Sequence, residues 1–510
     1  MKVVTGDTMK LMDQRAITEF NIPGLTLMEN AGLGCADYID LKFGDLTSSR
    51  KLVVVAGKGN NAGDGFVAAR LLAERGWETR VVVLAGQEEI TGDAKVNLER
   101  LPKGKLSFVK TSALLHDYFS SLPKDIVFLD AIFGTGLRNN VSGIYAEAIE
   151  LLNTANLPVV SVDIPSGLDA STGKLLGSAV RADATVTFAL AKLGHVLYPA
   201  AEFVGKLQIV EIGIPDEVMV SAPSIDFLDA TTIGPMIKNR ERTAHKGAYG
   251  HVLLVAGSTG KTGAAAMAAN SAVRSGAGLV TLAVPASLNP ILEVKTTEAM
   301  TLPLPDHGSG YLGTASRPHL EQASYGKSVL AIGPGVGQHP ATITLMRELI
   351  NTQELPMIVD ADGLNAIASE PGILNSKKTA SMILTPHPGE MARLTGLTVQ
   401  EIESDRIAVA QGFAKRYGVH LILKGARTVI AAPDGAVAIN GSGNPGMASG
   451  GMGDVLAGIL AALLAQGYAP AEACRIGVFI HGFAADLVAC EKGEIGMSAV
   501  DVQERLPYSF

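Results

Sequence analysis

Short runs of aliphatic and β-branched residues recur along the chain, each separated from the next by a segment of helical length. The first four are Leu52-Val-Val-Val-Ala56, Arg80-Val-Val-Val-Leu84, Ile126-Val-Phe-Leu-Asp130 and Val159-Val-Ser-Val-Asp163. They are continuously apolar rather than alternating, which predicts parallel strands buried on both faces and covered by helices such as 66–75. The first domain therefore reads as a doubly wound α/β sheet. A second series begins at His251-Val-Leu-Leu-Val-Ala256 and continues through Leu279-Val-Thr-Leu-Ala283, Val329-Leu-Ala-Ile332, Met357-Ile-Val-Asp360, Met382-Ile-Leu-Thr385 and Leu421-Ile-Leu-Lys424, predicting a second α/β domain. Residues 214–247 between them show weak periodicity, several prolines and clustered charge. The expected organisation is a first domain over 1–215, a linker over 216–238 and a second domain over 239–510. The two halves echo each other at Ala56-Gly57 and Ala256-Gly257, but the loops that follow differ and no fixed period emerges, which favours fusion over duplication.

Composition narrows the class. A chain of 510 residues, 47% hydrophobic and 18% charged, can build two full cores. Its net charge of −8 argues against a nucleic-acid surface, so anionic ligands would have to be held by local backbone N–H groups. Three widely spaced cysteines, Cys35, Cys474 and Cys490, suggest neither a disulfide framework nor a zinc cluster, and a cytoplasmic setting is expected. The first ten residues lack a signal-peptide apolar core. The longest uncharged apolar run, 455–465, falls short of the roughly 20 residues a membrane helix needs, so no membrane span is expected.

The sharpest chemical signal is Gly446-Met-Ala-Ser-Gly-Gly-Met-Gly-Asp454, which opens the apolar helical stretch 455–464. Glycines at a helix start let backbone N–H groups surround an anionic oxygen. Asp454 beside such a site is either a helix cap or a base that takes a proton from a substrate hydroxyl so that its oxygen can attack phosphorus. The preceding Asn440-Gly-Ser-Gly-Asn-Pro445 fits both readings.

Other loops gather at predicted strand ends, where open parallel sheets bind ligands. In the first half, Gly57-Lys-Gly-Asn-Asn-Ala-Gly-Asp-Gly65 departs from a plain dinucleotide fingerprint, and its asparagines could hold a phosphate, a ribose or a cation. Asp130-Ala-Ile-Phe-Gly-Thr-Gly-Leu-Arg138 and Asp163-Ile-Pro-Ser-Gly-Leu-Asp169 join it. Asn61, Asp130 and Ser166 offer hard oxygens suited to an alkali cation, and Asp163 is a candidate proton-transfer group, although either Asp could simply form a strand-end turn. In the second half, Gly257-Ser-Thr-Gly-Lys-Thr262 is no Walker loop, because Val255 stands where the first glycine should be; it is a turn or a ligand loop. Gly333-Pro-Gly-Val-Gly337, Asp360-Ala-Asp-Gly363 and Thr385-Pro-His-Pro-Gly-Glu390 mark the same edge. Lys424-Gly-Ala-Arg-Thr428 could hold a nucleotide phosphate.

Residues 52–65, 130–137 and 162–170 resemble the N-terminal domain of the bifunctional NAD(P)H-hydrate repair enzymes, and 424–428 with 446–454 resemble their dehydratase half. The resemblance implies a Rossmann-like first domain that interconverts the epimers of NADHX and NADPHX with a bound potassium ion. Asn60, Asn61, Ala62, Gly63 and Asp64, together with Gly134, Thr135, Gly136, Leu137, Arg138, Asn139 and Asn140, would contact the hydrate. Asp163 would lie at the reacting carbon, and Asn61, Asp130 and Ser166 would support potassium. The second domain would be ribokinase-like, with Asp454 as base. Ala264, Gly335, His387 and Asp454 would hold the hydrate; Lys424, Gly425, Ala426, Arg427, Thr428 and Gly453 would hold an adenine nucleotide. ADP is the expected co-substrate, since bacterial-type fusions of this length generally use it, and Mg2+ is expected without assigned ligands. The broader kinase superfamily writes Gly-Ala-Gly-Asp and Asn-x-x-Glu. Here Met452 replaces the alanine and His387 the asparagine before Glu390, which weakens a magnesium role for Glu390 and favours a substrate role for His387. A homo-oligomer is expected. The alternatives are a small-molecule kinase fused to a nucleotide-binding module, and a first domain that binds ligand without chemistry.

Overall fold

The computed structural model describes residues 1–44, 50–102 and 104–510. It divides into two compact units, Lys2–Ser224 and Ile225–Phe510, the latter joined by Met1. The N-terminal unit contains β1 (Lys2–Val4), β2 (Lys51–Ala56), β3 (Glu78–Val83), β4 (Leu106–Phe108), β5 (Val127–Ala131), β6 (Val159–Val162), β7 (Ala184–Phe188), β8 (Ala191–Lys192) and β9 (Lys206–Val210). Seven of these form a sheet in the order β4-β3-β2-β5-β6-β7-β9, parallel at every pairing. β1 and β8 pair in parallel over two residues each.

Both faces of the seven-stranded sheet are buried, as its continuous apolar runs require. Val54, Leu129 and Val160 pack with Ala16, Ile39 and Phe66 from the helices Gly6–Phe20, Gly24–Phe43 and Asn60–Glu74. Val53, Val55 and Phe128 pack on the other side with Leu115 and Ile149, from Ser112–Ser120 and Ile144–Thr154. Strand order reverses between β2 and β5, which places a crevice at their carboxyl ends. Gly57 lies there, so close to β5's exit that a Cβ would come within 2.2 Å of the Ile132 carbonyl oxygen.

Several expectations are corrected. The helix expected at 66–75 starts six residues earlier, at Asn60. Its glycines serve close packing rather than a free loop: a Cβ at Gly63 would meet Met28 Sδ at 2.5 Å, and one at Gly65 would meet Ala131 Cβ at 2.7 Å. The expected linker 216–238 contains the helix Asp216–Ser221, a strand at Ile225–Leu228 and the helix Ala230–Ile233, and the two units divide at 224/225. The strand is only four residues long, and its partner lies at 438–440, so local periodicity could not show it.

The C-terminal unit contains β10 (Ile225–Leu228), β11 (His251–Val255), β12 (Leu279–Pro285), β13 (Met300–Leu304), β14 (Val329–Ile332), β15 (Met357–Val359), β16 (Met382–Leu384), β17 (His420–Leu423), β18 (Val429–Ala431) and β19 (Val437–Asn440). They run in the order β13-β12-β11-β14-β15-β16-β17-β18-β19-β10. β13 through β17 are parallel, and β17-β18-β19 pair antiparallel, Pro433-Asp-Gly435 joining β18 to β19. On one face lie helices Thr262–Arg274, Met452–Ala465 and Pro470–Lys492; on the other lie Pro340–Thr352, Asp362–Ala368, Pro388–Thr395 and Arg406–Tyr417. Gly458 lets the first two of these helices approach, since a Cβ there would lie 2.3 Å from the Ala268 carbonyl oxygen. Pro470–Lys492 has the length and composition of a membrane span, but most of its apolar window is buried within this unit.

Candidate active sites

In the N-terminal unit, the loops leaving β2, β5 and β6 converge on Gly134. A Cβ there would stand 3.0 Å from Asn61 Oδ1 and 3.2 Å from Asp163 Oδ2, so the missing side chain is what admits both groups. Asn61 is buried, and neither its Nδ2 nor its Oδ1 has a hydrogen-bond partner. Unmet polar atoms of this kind are costly, and they mark a place prepared for a ligand.

Asp163 adopts φ 63°, an uncommon conformation for a residue with a side chain. Its Oδ1 accepts from Lys192 Nζ at 2.7 Å and from Thr187 Oγ1 at 3.2 Å; its Oδ2 accepts from the Thr135 N–H at 3.3 Å. His195 Nδ1 accepts from the Lys192 N–H at 2.9 Å, so Nε2 carries the proton it donates to the Asp163 carbonyl oxygen at 2.8 Å. Burial opposes the charge of Asp163, but Lys192, His195 and the Thr135 N–H outweigh it and hold the carboxyl below its ordinary range. His195 is pushed down to about 4, by burial first and then by Lys192. Carboxyls without a direct lysine contact go the other way. Burial and the charge of Asp163 raise Asp13 to about 6, against the pull of Lys192. Asp64 is raised too, by burial and then by Asp163 and Asp13.

Asp130 is fully buried and accepts from Ser161 Oγ at 2.8 Å, Ser166 Oγ at 2.6 Å and Ser166 N at 2.9 Å. Burial still raises its pKa, those hydrogen bonds only partly offsetting it. Of the residues expected to contact hydrate, Ala62 and Gly63 are buried in the helix, and Gly136 faces open space. Asp64, Thr135 and Leu137 are half-buried, and Asn60, Asn139 and Asn140 are exposed. Arg138 turns to Asp7. Lys192, Thr187, His195 and Asp13 were not anticipated. The one available signal was a lysine and a histidine set among apolar residues at Ala191-Lys-Leu-Gly-His-Val196.

In the C-terminal unit, the carboxyl ends of β14 to β17 face the start of helix Met452–Ala465, whose N-cap Gly451 has φ 95°. Lys424 Nζ lies 3.0 Å from Asp360 Oδ1 and 3.8 Å from Glu390 Oε2, and Thr385 Oγ1 donates to Asp360 Oδ1 at 2.6 Å. A Cβ at Gly453 would lie 3.3 Å from Lys424 Nζ and 3.7 Å from Asp360 Oδ2, so the ion pair sits directly beneath the glycine turn. Asp454, in the first helical turn, is pushed up to about 7 by burial and then by Asp360, Asp362 and Glu390, with Lys424 opposing. Gly335, at φ 63°, brings Ala264 close: a Cβ there would be 3.0 Å from both Ala264 Cβ and the Lys261 carbonyl oxygen. Asp362 accepts from Lys261 Nζ at 2.8 Å and the Gly337 N–H at 3.0 Å.

His387 caps helix Pro388–Thr395, its Nδ1 accepting from the Gly389 N–H at 3.0 Å, while its own N–H donates to Glu390 Oε2 at 2.8 Å. Half its side chain is exposed, with Nε2 3.5 Å from Glu390 Oε1. In the loop 425–428, Gly425 and Ala426 are exposed, Thr428 Oγ1 donates to the Gly425 carbonyl oxygen at 2.9 Å, and Arg427 Nη1 donates to the Gly441 carbonyl oxygen at 2.7 Å. His481, not anticipated, is buried with Nε2 unpartnered and is pushed down to about 4 by burial and then by Lys424.

Comparison with known proteins matches both units. A family described as NAD(P)H-hydrate dehydratase matches residues 252–508, and one described as YjeF-related protein N-terminus matches 24–194. The chain is 44% identical to the bifunctional NAD(P)H-hydrate repair enzyme Nnr of Moorella thermoacetica, covering 100% of this chain and 96% of that protein. It is 35% identical to the enzyme of the same description from Escherichia coli K12, covering 94% and 89%. A ribokinase-like superfamily protein from Enterococcus faecalis superposes on 56% of this chain and 95% of its own, with a TM-score of 0.50 at 26% identity. The chain belongs to the family of bifunctional NAD(P)H-hydrate repair enzymes.

Proposed function

We propose that the N-terminal unit interconverts the C6 epimers of NADHX and NADPHX and that the C-terminal unit dehydrates the S epimer using ADP, releasing AMP and phosphate. The observation that carries this reading is one carboxylate per unit, Asp163 and Asp454, each set beside a glycine turn at a sheet edge. The unpaired cysteines are in keeping with a cytoplasmic setting.

For dehydration, Asp454 would take the C6 hydroxyl proton as the oxygen attacks the terminal phosphorus of ADP and AMP leaves. Backbone N–H groups of 450–453 at the helix start would steady the transferring phosphoryl group. Phosphate then departs with the C6–O bonding pair, assisted by the ring nitrogen, and loss of a C5 proton restores the dihydronicotinamide double bond. A carboxyl with pKa about 7 suits this base role near neutral pH. Lys424 would act from below, its ammonium 3.0 Å from Asp360 and turned toward the Gly453 backbone.

For epimerisation, Asp163 Oδ2 would take the C6 hydroxyl proton. The oxygen's electron pair then forms a carbonyl as the C6–N1 bond opens, its pair spreading into the ring carboxamide. Closure on the other face, with return of the proton, gives the opposite epimer and consumes nothing.

Potassium fits this unit. Asn61 Oδ1 is buried without a partner, and Asp130 is a buried carboxylate whose hydrogen-bond donors are the hydroxyls of Ser161 and Ser166 and the N–H groups of Ile132 and Ser166, all uncharged. With Ser166 they would make an all-oxygen donor set, which suits a hard monovalent ion that neutralises Asp130 and steadies the adjoining loops. For magnesium, no group of three His, Cys, Asp or Glu side chains is placed to hold an ion among the described residues, and Asp360 and Glu390 face Lys424; an ion carried on the nucleotide's phosphates would need only one or two protein carboxylates and would neutralise phosphate charge there.

Purified protein given mixed NADHX epimers and ADP should restore near-ultraviolet dihydronicotinamide absorption for both epimers. No recovery with ADP or ATP would overturn the reading, and a stable phosphorylated product would mark a kinase instead.

A further inference from the structure

The N-terminal unit keeps a lysine where a lysine is costly. Lys192 is 1% exposed, and removing an ammonium from water is repaid only when its partners are close and well aligned. Its three donors are met by Asp163 Oδ1 at 2.7 Å, Thr187 Oγ1 at 2.8 Å and the Phe188 carbonyl oxygen at 3.2 Å. No donor is left over for a ligand, so Lys192 does not bind substrate. A purely structural need at this depth would be met more cheaply by an apolar side chain of similar length.

The two oxygens of Asp163 are treated unequally. Oδ1 is fixed by Lys192 and Thr187, whereas Oδ2 has a single long contact, 3.3 Å to the Thr135 N–H, and lies beside the Cβ-free face of Gly134 opposite the unpartnered Asn61 amide. The backbone of Asp163 is clamped as well: its φ of 63° lies in the left-handed region, uncommon for a residue with a side chain, and His195 Nε2 holds its carbonyl oxygen at 2.8 Å. The lysine and histidine that do this lie three residues apart, and the Lys192 N–H sets the His195 tautomer.

We propose that Lys192 is the positioning residue of the epimerase site, fixing Asp163 Oδ1 so that Oδ2 is the oxygen offered to the C6 hydroxyl of the hydrated nicotinamide, with His195 fixing the backbone that carries it. This rests on the reading of Asp163 given above. Lys192 acts only through Asp163, so its contribution vanishes once Asp163 can no longer take a proton.

The test is a double-mutant cycle on epimer exchange in the full-length protein, with the spontaneous rate subtracted. Lys192→Met lowers kcat by about 100-fold and moves KM for the hydrate by less than about 3-fold, because ligand contacts stay while the base loses its aim. Lys192→Arg, which keeps the charge, recovers part of the loss. Asp163→Asn alone and Asp163→Asn with Lys192→Met have equal residual rates, since the interaction energy of such a pair appears as non-additivity. Multiplicative losses, or a raised KM with unchanged kcat in Lys192→Met, overturn the proposal. Should Lys192→Met fail to fold, the comparison of Asp163→Asn with the double variant decides, because removing both partners leaves no charge buried alone. If Asp163→Asn itself exchanges epimers at the wild-type rate, the reading of Asp163 fails and the question of Lys192 falls with it.

Discussion

Two aspartates occupy comparable places in the two units, each at the carboxyl edge of a parallel sheet beside a glycine turn, yet their surroundings push them in opposite directions. Asp163 is bonded to Lys192 at 2.7 Å and held below its usual range. Asp454 has a lysine nearby too, but Lys424 is paired to Asp360 at 3.0 Å, leaving Asp454 to feel burial and three other carboxylates, which take it to about 7. A buried lysine therefore governs the carboxylate it touches and only moderates the others. One unit has a base that is ionised across the physiological range, and the other has one poised near neutrality.

The comparison breaks most sharply if the two carboxylates are not confined to their own reactions. Asp454→Asn should lower dehydration by at least about 1,000-fold, with epimer exchange unchanged; Asp163→Asn should do the reverse. Separate assays of epimer ratio and NADH recovery measure both. Loss of both activities in either folded variant would show that the sites are not independent.

The pH profiles sharpen it next. A base works when ionised, so dehydration measured with excess S epimer should rise as pH increases through about 7, the value to which Asp454 is raised. Epimer exchange should keep its rate at pH values where dehydration has already fallen, because Asp163 ionises below the ordinary carboxylate range. Lys424→Met removes the cation that opposes the rise of Asp454, so the dehydration limb should move to higher pH. A limb that stays put would reassign the base.

Gly134 offers a smaller and more local test. Alanine there would place a Cβ 3.0 Å from Asn61 Oδ1 and 3.2 Å from Asp163 Oδ2, closer than ordinary contact. A misplacement of a few tenths of an ångström at a reacting group should slow epimer exchange by about 10-fold, with NADH recovery from pure S epimer unaffected.

What the sequence disclosed and what it hid follow one division. Motifs whose members are close together were legible: the glycine turn ending at Asp454, the Asn60-Asn61 pair, and the loops at 130–138 and 163–169. So were the strands with unbroken aliphatic runs, such as Lys51–Ala56 and His251–Val255. The strand Ala184–Phe188 was hidden because two threonines interrupt it, and these are tolerated inside only because Thr185 Oγ1 donates to the Val204 carbonyl oxygen and Thr187 bonds Asp163 and Lys192. Lys424 was legible as a site residue, but its partner Asp360 lies 64 positions away, so the ion pair that buries it was not. Lys192 was missed for the same reason, as nothing near it in sequence announces the carboxylate 29 positions before it.

The smallest expected effect concerns stability, and its sign follows from the displacement of Asp454. Its carboxyl titrates near 3.8 when unfolded and near 7 when folded, so the folded state binds the proton more tightly. Below the unfolded value both states are protonated and the group contributes nothing. As pH rises from about 4 to 7 the unfolded chain ionises first and the folded state loses stability; above 7 the loss is complete and constant. Asn, which does not titrate, escapes this loss. Asp454→Asn should therefore stabilise the C-terminal unit at pH 8 by about 1 to 3 kcal/mol, less than the full displacement implies because the side chain is partly solvated. The gain should shrink to almost nothing at pH 4. Denaturant melts that follow this unit's own transition at the two pH values check it. A variant that is less stable than wild type at pH 8 would mean that the carboxylate is compensated by a partner, and the contrast with Asp163 would then lie in geometry rather than in charge.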